Sequence, residues 1–264
     1  MRDILTEIVA SKYDEVLCAK ASIPLNELIA ASRDMPPVIS MSQALKESKS
    51  GIIAEFKRRS PSKGWIKESA NASIIPPSYA AAGAAALSIL SDRKYFGGSL
   101  RDIETARPLV NIPILRKEFV VDEYQLYEAR RVGADAILLI AAALTPNRCS
   151  ELIAKAHEIG LEVLLELHDQ SEVDYIEPSV EMVGINNRNL GSFHTDVDTS
   201  YRLSELLPEG AVHISESGIS SSATVCELRK IGYRGFLIGE NFMRTETPGD
   251  TLAEFIKSVE SYED

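Results

Sequence analysis

Short apolar runs recur along this chain at intervals that mostly leave room for a helix, and that rhythm restricts the fold more than any other feature. The runs are Ile52–Phe56, Ala86–Leu90, Pro113–Arg116, Ala136–Ile140, Glu162–Glu166, Met182–Ile185, Val212–Ser215 and Gly235–Ile238. Each is short enough for a buried strand and is flanked by residues that break regular structure. The intervening pattern predicts helices, for example over Glu123–Val132, Asn147–Ile159 and Ala223–Ile231. Gly133, Gly160 and Gly232 follow these segments, where a left-handed residue stops a helix and turns the chain. Thr145-Pro146 and Ser221-Ser222 supply N-cap signals at the other end.

Alternating strands and helices require a parallel sheet, so the fold class is α/β. Eight near-continuous apolar strands in a chain of 264 residues point to a closed (β/α)8 TIM barrel. A doubly wound open sheet is the alternative, disfavoured because no GxGxxG follows the first strand. Residues 1–48 precede the barrel segment, 49–264. Ile4, Leu5, Ile8, Val9, Val16 and Leu17 predict an amphipathic helix there, and Leu25–Arg33 a second, ended by Pro36-Pro37. This N-terminal helical extension and the barrel are read as a single domain; composition also allows the extension to be a dimerisation arm.

The formal charge of -11 and pI near 5.0 argue against nucleic acid or an anionic membrane as the main partner. An acidic chain that binds a small anion must concentrate positive charge locally, as Lys57 to Lys63 does. Cys18, Cys149 and Cys226 are far apart and form neither a CxxC nor a Cys/His cluster of zinc spacing, so reduced thiols and no metal are expected. Met1 to Lys20 carries Asp3, Glu7, Asp14 and Glu15 and no signal-peptide apolar core. The longest apolar run, Ala134–Leu144, is too short to span a bilayer. A cytoplasmic chain with a small-molecule partner, acting as a monomer or weak homo-oligomer, is the expectation.

Candidate site residues gather at one end of the strands. Glu55 and Lys57 are two residues apart and so project to the same side. Lys117, Glu166, Asn186, Glu216 and Ser217 each close or follow their own strand. The C-terminal face is where barrel enzymes build their sites. For any one residue, a polar side chain entering a loop is the simpler account; for the first segment the alternative is a structural ion pair before a solvated basic turn. Gly218 and Gly239 follow the seventh and eighth strands, the usual phosphate site of this fold, and a short helix after Gly239 would add its positive end.

Ile53-Ala-Glu-Phe-Lys-Arg-Arg-Ser-Pro-Ser-Lys-Gly64 resembles the signature of the indole-3-glycerol phosphate synthase family. Tyr95–Leu100, Ile114–Phe119, Gly133–Ala136, Gly184–Leu190 and Ser215–Ile219 are similar to further family motifs, in family order. Two segments depart from the pattern. Glu240 stands where many members have a serine thought to touch phosphate, and is expected to point outward; Asn71–Pro77 differs from the usual entry to the first helix.

The resemblance implies a substrate, 1-(2-carboxyphenylamino)-1-deoxyribulose 5-phosphate, converted to indole-3-glycerol phosphate, CO2 and water. It implies no cofactor, since the aniline nitrogen supplies the electrons, and an N-terminal extension that packs on the barrel and helps close the site. It further implies Lys117 as the acid at ring closure, Glu166 in dehydration, and Glu55 with Lys57 as a coupled acid/base pair. Asn186 and Glu216 would orient the ribulose hydroxyls. Ser60, Ser217, Gly218 and Gly239 would hold phosphate, and Arg188 would meet the substrate carboxylate or act as a clamp. Phe96 and Phe119 would pack on the anthranilate ring, core packing being the alternative. Two other functions compete: an aldolase-like barrel with Lys117 or Lys57 as a Schiff-base amine, and a non-catalytic scaffold subunit. His157, His168, His194 and His213 form no constellation in the sequence, and Glu254–Asp264 is expected to be a solvated helix and tail.

Overall fold

The computed structural model describes residues 4–189, 191 and 193–262; Leu190, the first three residues, and Glu263 and Asp264 of the acidic tail lie outside the described residues. Eight parallel strands close into a barrel: β1 (Ile52–Phe56), β2 (Ala86–Leu90), β3 (Ile114–Lys117), β4 (Ala136–Ile140), β5 (Glu162–Leu167), β6 (Met182–Asn186), β7 (Val212–Glu216) and β8 (Gly235–Ile238). Neighbours in sequence pair in the sheet, and β8 pairs with β1 to close it. The apolar runs mark these strands to within a residue or two. Where they fall short it is at the C-terminal ends: β3, β5, β6 and β7 continue through Lys117, Leu167, Asn186 and Glu216. The ladder itself therefore carries the candidate residues, with Leu90 opposite Lys117, Ile140 opposite Glu166 and Asn186 opposite Glu216.

The two-residue period of a strand divides the core into two layers. Ile53, Leu115, Leu164, Met182, Val212, Ile214 and Leu237 fill the barrel interior. Ile52, Ala54, Phe56, Val163, Leu165 and Phe236 face the helices instead. One step above the interior apolar layer, the same period brings Glu55, Lys117, Glu166, Asn186 and Glu216 inward. That top layer is the site.

Helices surround the barrel. Between the strands run α4 (Ile75–Ala81), α5 (Leu100–Ala106), α6 (Glu123–Arg131), α7 (Pro146–Glu158), α8 (Asp198–Leu203) and α9 (Ser222–Lys230), and after β8 come α10 (Glu240–Met243) and α11 (Pro248–Glu260). The Thr145 and Ser221 side chains cap α7 and α9, and Gly133 and Gly160 take the left-handed φ of +85 and +80 that ends a helix.

Three helices precede β1: α1 (Ile4–Ser22), α2 (Leu25–Arg33) and α3 (Met41–Glu47). The α2 helix packs on α6 through Leu28, Tyr124 and Tyr127. Met41 and Leu45 of α3 enter the interior cluster from below. Glu162, at the start of β5, fixes that plug by accepting from the Met41 and Ser42 amides at 2.7 and 2.8 Å and from the hydroxyls of Ser40 and Ser42. A carboxylate at a helix N-terminus satisfies otherwise unpaired amides.

The C-terminal segment departs from expectation. The α11 helix begins at Pro248 and buries Leu252, Ile256 and Val259 against α4 and α9, because those positions share one helical face. Among the described residues no helix is long and apolar enough to cross a membrane.

Candidate active site

A cavity of about 340 Å³ opens at the C-terminal ends of the strands. Every candidate lines it: Glu55, Lys57, Ser60, Phe96, Lys117, Phe119, Glu166, Asn186, Arg188, Glu216, Ser217, Gly218 and Gly239. At its centre the Lys117 Nζ lies 3.0 Å from Glu166 Oε2 and 3.0 Å from Glu216 Oε2. Burial alone would lower the Lys117 pKa, but Glu166, Glu216 and Glu55 outweigh it and hold the amine protonated. The two carboxylates diverge. Burial raises Glu216, reinforced by Glu166 and opposed by Lys117, whereas at Glu166 the pull of Lys117 and His168 overcomes burial and lowers it. One ammonium thus sits between a carboxylate that ionises readily and one that protonates readily, an arrangement suited to moving protons in both directions. A lysine so held is not the neutral amine that Schiff-base formation requires.

Glu55 and Lys57 meet at 2.6 Å on the same side of β1, as their spacing requires. Two glycines make room for the carboxylates. A Cβ on Gly184 would lie 2.3 Å from Glu216 Oε1, and one on Gly239 would lie 2.4 Å from Glu55 Oε1. The lack of a side chain at Gly239 therefore serves Glu55, a reason distinct from close approach of an anion.

Around this centre the loops supply a rim. Ser60 accepts from the Lys63 amide at 3.2 Å within the loop after β1. That loop folds as a small hairpin, Arg59–Ser60 against Gly64–Trp65, and reaches the β2 loop through the Arg59 amide to the Phe96 carbonyl, 3.1 Å. Arg188 donates to Ser62 Oγ at 2.9 Å, a clamp across the mouth. Glu240 opens α10 and pairs with Lys63 at 3.2 Å, so its charge is answered by the β1 loop. Ser217 and Gly218 both take left-handed φ, +68 and +77, after β7. The Phe96 and Phe119 rings lie 6.0 Å apart and both line the cavity, and Phe119 also packs against the interior cluster.

The family model for indole-3-glycerol phosphate synthase matches residues 5–255. The chain belongs to the indole-3-glycerol phosphate synthase family. A relative of that name from Bacteroides thetaiotaomicron is 59% identical over 260 residues, covering 98% of this chain and 100% of the relative. Another from Chromobacterium violaceum is 44% identical, covering 96% and 97%. Among solved structures, 3-hexulose-6-phosphate synthase from Salmonella typhimurium superposes with a TM-score of 0.62 at 13% identity, over 80% of this chain and 99% of that one. A structure of the tryptophan synthase α2β2 complex from Pyrococcus furiosus gives a TM-score of 0.59 at 14% identity, over 80% and 98%. These two share the barrel.

Residues outside the candidate set also shape this family member's site, some of them with no signal in the sequence. Ile4, Leu5 and Ile8 of α1 line the cavity and form its roof. Lys12, four residues on from Ile8, is buried and pairs with Asp92 at 2.7 Å, Glu118 at 3.1 Å and Glu15 at 2.6 Å. Asp92 in turn accepts from the Tyr95 and Phe96 amides, and Glu118 from the Phe119 amide and Ser91 hydroxyl. Lys12 thus ties the roof to the loops that carry both phenylalanines. Buried Asn187 donates to the Ser217 carbonyl and Ser215 hydroxyl, 3.0 Å each, which braces the turn after β7. Among the histidines, the largely buried ring of His168 lies against Glu166. No sequence spacing links Lys12 to Asp92 or Glu118; for His168 the i, i+2 relation to Glu166 is a usable signal.

Proposed function

We propose that the buried Lys117–Glu166–Glu216 cluster carries the acid/base chemistry of an indole-3-glycerol phosphate synthase. Membership of the family makes the chain a carboxy-lyase of tryptophan biosynthesis. The reaction closes an indole ring on 1-(2-carboxyphenylamino)-1-deoxyribulose 5-phosphate. The ring carbon bearing the carboxylate attacks the C2' ketone, CO2 leaves, and water is lost to restore aromaticity.

Lys117 donates its proton to the ketone oxygen as the new bond forms, and its charge offsets the negative charge growing there. Glu166 serves the dehydration, with Glu55 and Lys57 as a second acid/base pair. Asn186 and Glu216 orient the ribulose hydroxyls. Ser60, Ser217, Gly218 and Gly239 hold the phosphate, beneath the loop that Arg188 clamps through Ser62. Phe96 and Phe119 stack on the anthranilate ring, whose flat apolar face suits a tilted aromatic pair.

The observation that carries this reading is the bifurcated pairing of one buried ammonium with two carboxylates of opposite proton affinity, at the face where barrel enzymes react. A scaffold subunit has no need of such a cluster, which is costly to bury. The test is turnover of the anthranilate–ribulose phosphate by the purified chain, followed by indole fluorescence and CO2 release. No indole from the folded wild type would refute the reading.

A further inference from the structure

His168 follows the end of β5, two residues beyond Glu166 and on the same side of the chain. Its Nε2 lies 3.4 Å from Glu166 Oε1 and its Nδ1 3.8 Å from Glu172 Oε2, the latter on the 3-10 helix Gln170–Tyr175. Both ring nitrogens are shielded from solvent and make no hydrogen bond. The ring does not line the cavity and meets the site through Glu166, which does.

A neutral imidazole presents a lone pair on one nitrogen, which would face a carboxylate at unfavourable range inside a dry site. An imidazolium presents a donor to each side, and the geometry suits only that form. The charged groups around the ring agree: Glu166 from β5, Glu172 and the exposed Asp169 from the following turn, and Glu216 from β7, with Lys117 of β3 beyond Glu166. We propose that His168 is a positioning residue of the reaction: as an imidazolium it fixes one oxygen of Glu166 while Lys117 fixes the other, so the carboxylate meets the substrate ionised and in one orientation. The inference rests on the reading of Glu166 as the group that serves dehydration. Burial would lower the His168 pKa, but Glu172, Glu166 and Glu216 reverse this and raise it above the ordinary 6.5, which favours the charged ring.

The sign of the effect follows from charge. Removing one positive charge from beside two carboxylates raises their affinity for a proton, so the ionised pair survives only at higher pH. The acid limb of kcat/KM, which reports the free enzyme, should therefore move up by about one pH unit in His168→Gln. The rate loss should be greater at pH 6 than at pH 8. A uniform loss with an unmoved limb would mean that the ring only fills space, and would overturn the proposal.

Histidine-selective NMR titration of the whole chain gives a second reading that leaves His168 itself unchanged. The His168 ring should titrate above 6.5, and Glu166→Gln should lower that value. If Glu166→Gln lowers it yet dehydration continues, the clamp stands and the assigned role of Glu166 falls. If Glu166→Gln abolishes dehydration while the His168 titration is unmoved, the clamp falls and the role of Glu166 stands.

Discussion

Substituting alanine at either of two strand glycines separates the chemistry of this barrel from its stability. Gly184, on β6, faces inward between Met182 and Asn186 with no positive φ, so an alanine can adopt its backbone. Its Cβ would lie 2.3 Å from Glu216 Oε1 and 3.1 Å from Leu164 Cδ1. Glu216 must retreat by about 1 Å to regain ordinary van der Waals contact. The carboxylate ends a flexible side chain, so the protein absorbs that shift near the low end of the roughly 1–3 kcal/mol typical of overpacking. The chemistry does not absorb it. The shift pulls Glu216 away from Lys117 Nζ, now 3.0 Å from it. A displacement of about 1 Å costs on the order of 10²-fold in rate, equivalent to about 2.7 kcal/mol in the barrier.

Gly235→Ala, on β8, supplies the contrast. There the Cβ would lie 2.6 Å from Ile214 Cγ1 and 3.4 Å from Ile214 Cβ, atoms near the root of a side chain held in the interior core. Ile214 cannot swing aside, so the strain should reach the upper part of the same range, about 2–3 kcal/mol, with kcat close to wild type. Urea unfolding at constant m-value measures the first quantity, and indole fluorescence under saturating substrate the second. Wild-type kcat in Gly184→Ala would refute the view that Glu216 works through its contact with Lys117. Equal loss of kcat in both variants would show that barrel strain alone disturbs turnover.

Lys117→Ala should lower kcat by at least about 10²–10⁴-fold, with substrate binding largely retained, because proton donation acts in the transition state; single-turnover and binding measurements together check it, and near-normal kcat removes Lys117 from the mechanism. Glu166→Gln should impair dehydration more than ring closure, so rapid-quench should find CO2 released ahead of indole; equal slowing of both steps contradicts that role. Glu240→Ser releases Lys63 from a solvent-exposed pair of the kind that contributes about 0.2–1 kcal/mol, so KM should rise by no more than about fivefold at unchanged kcat. High salt should erase that difference, and a rise that persists at high salt would point to direct phosphate contact instead.

The barrel was legible because its signals are local. A parallel strand buried on both faces is a short apolar run, and a glycine after several of the helices marks the return, so β1 to β8 could be placed from composition and punctuation. What composition could not show was how far the strands extend. A charged residue reads as the end of a run, yet β3, β5, β6 and β7 carry Lys117, Glu166, Asn186 and Glu216 inside the ladder. The extra pairing holds each side chain at a fixed height above the interior core. The α3 plug was equally hidden: Met41 and Leu45 look like an ordinary half-buried turn until Glu162, on the other side of the barrel sequence, captures their helix N-terminus.

In the candidate site, legibility followed the same division between local and distant causes. The i, i+2 rule placed Glu55 beside Lys57, and the strand-end rule gathered the whole candidate set around one cavity. Gly239 was read as a turn for an anion; the residue that fills its Cβ space is Glu55, nearly the whole barrel away in sequence but next to it once β8 pairs with β1. Lys12 is the clearest case. In sequence it is one lysine of an amphipathic helix with Glu15 at i+3, the pattern of a solvated pair. Closure of the barrel brings Asp92 and Glu118 to it from the ends of β2 and β3, and the same two carboxylates hold the amides of the loops bearing Phe96 and Phe119. A charge buried with three partners is strongly destabilising to unpair, so the helix that roofs the cavity is fixed by the same ion cluster that orders the aromatic wall beneath it. Roof and wall must then form or loosen together, a coupling that arises only from contacts between residues about 80 to 106 positions apart.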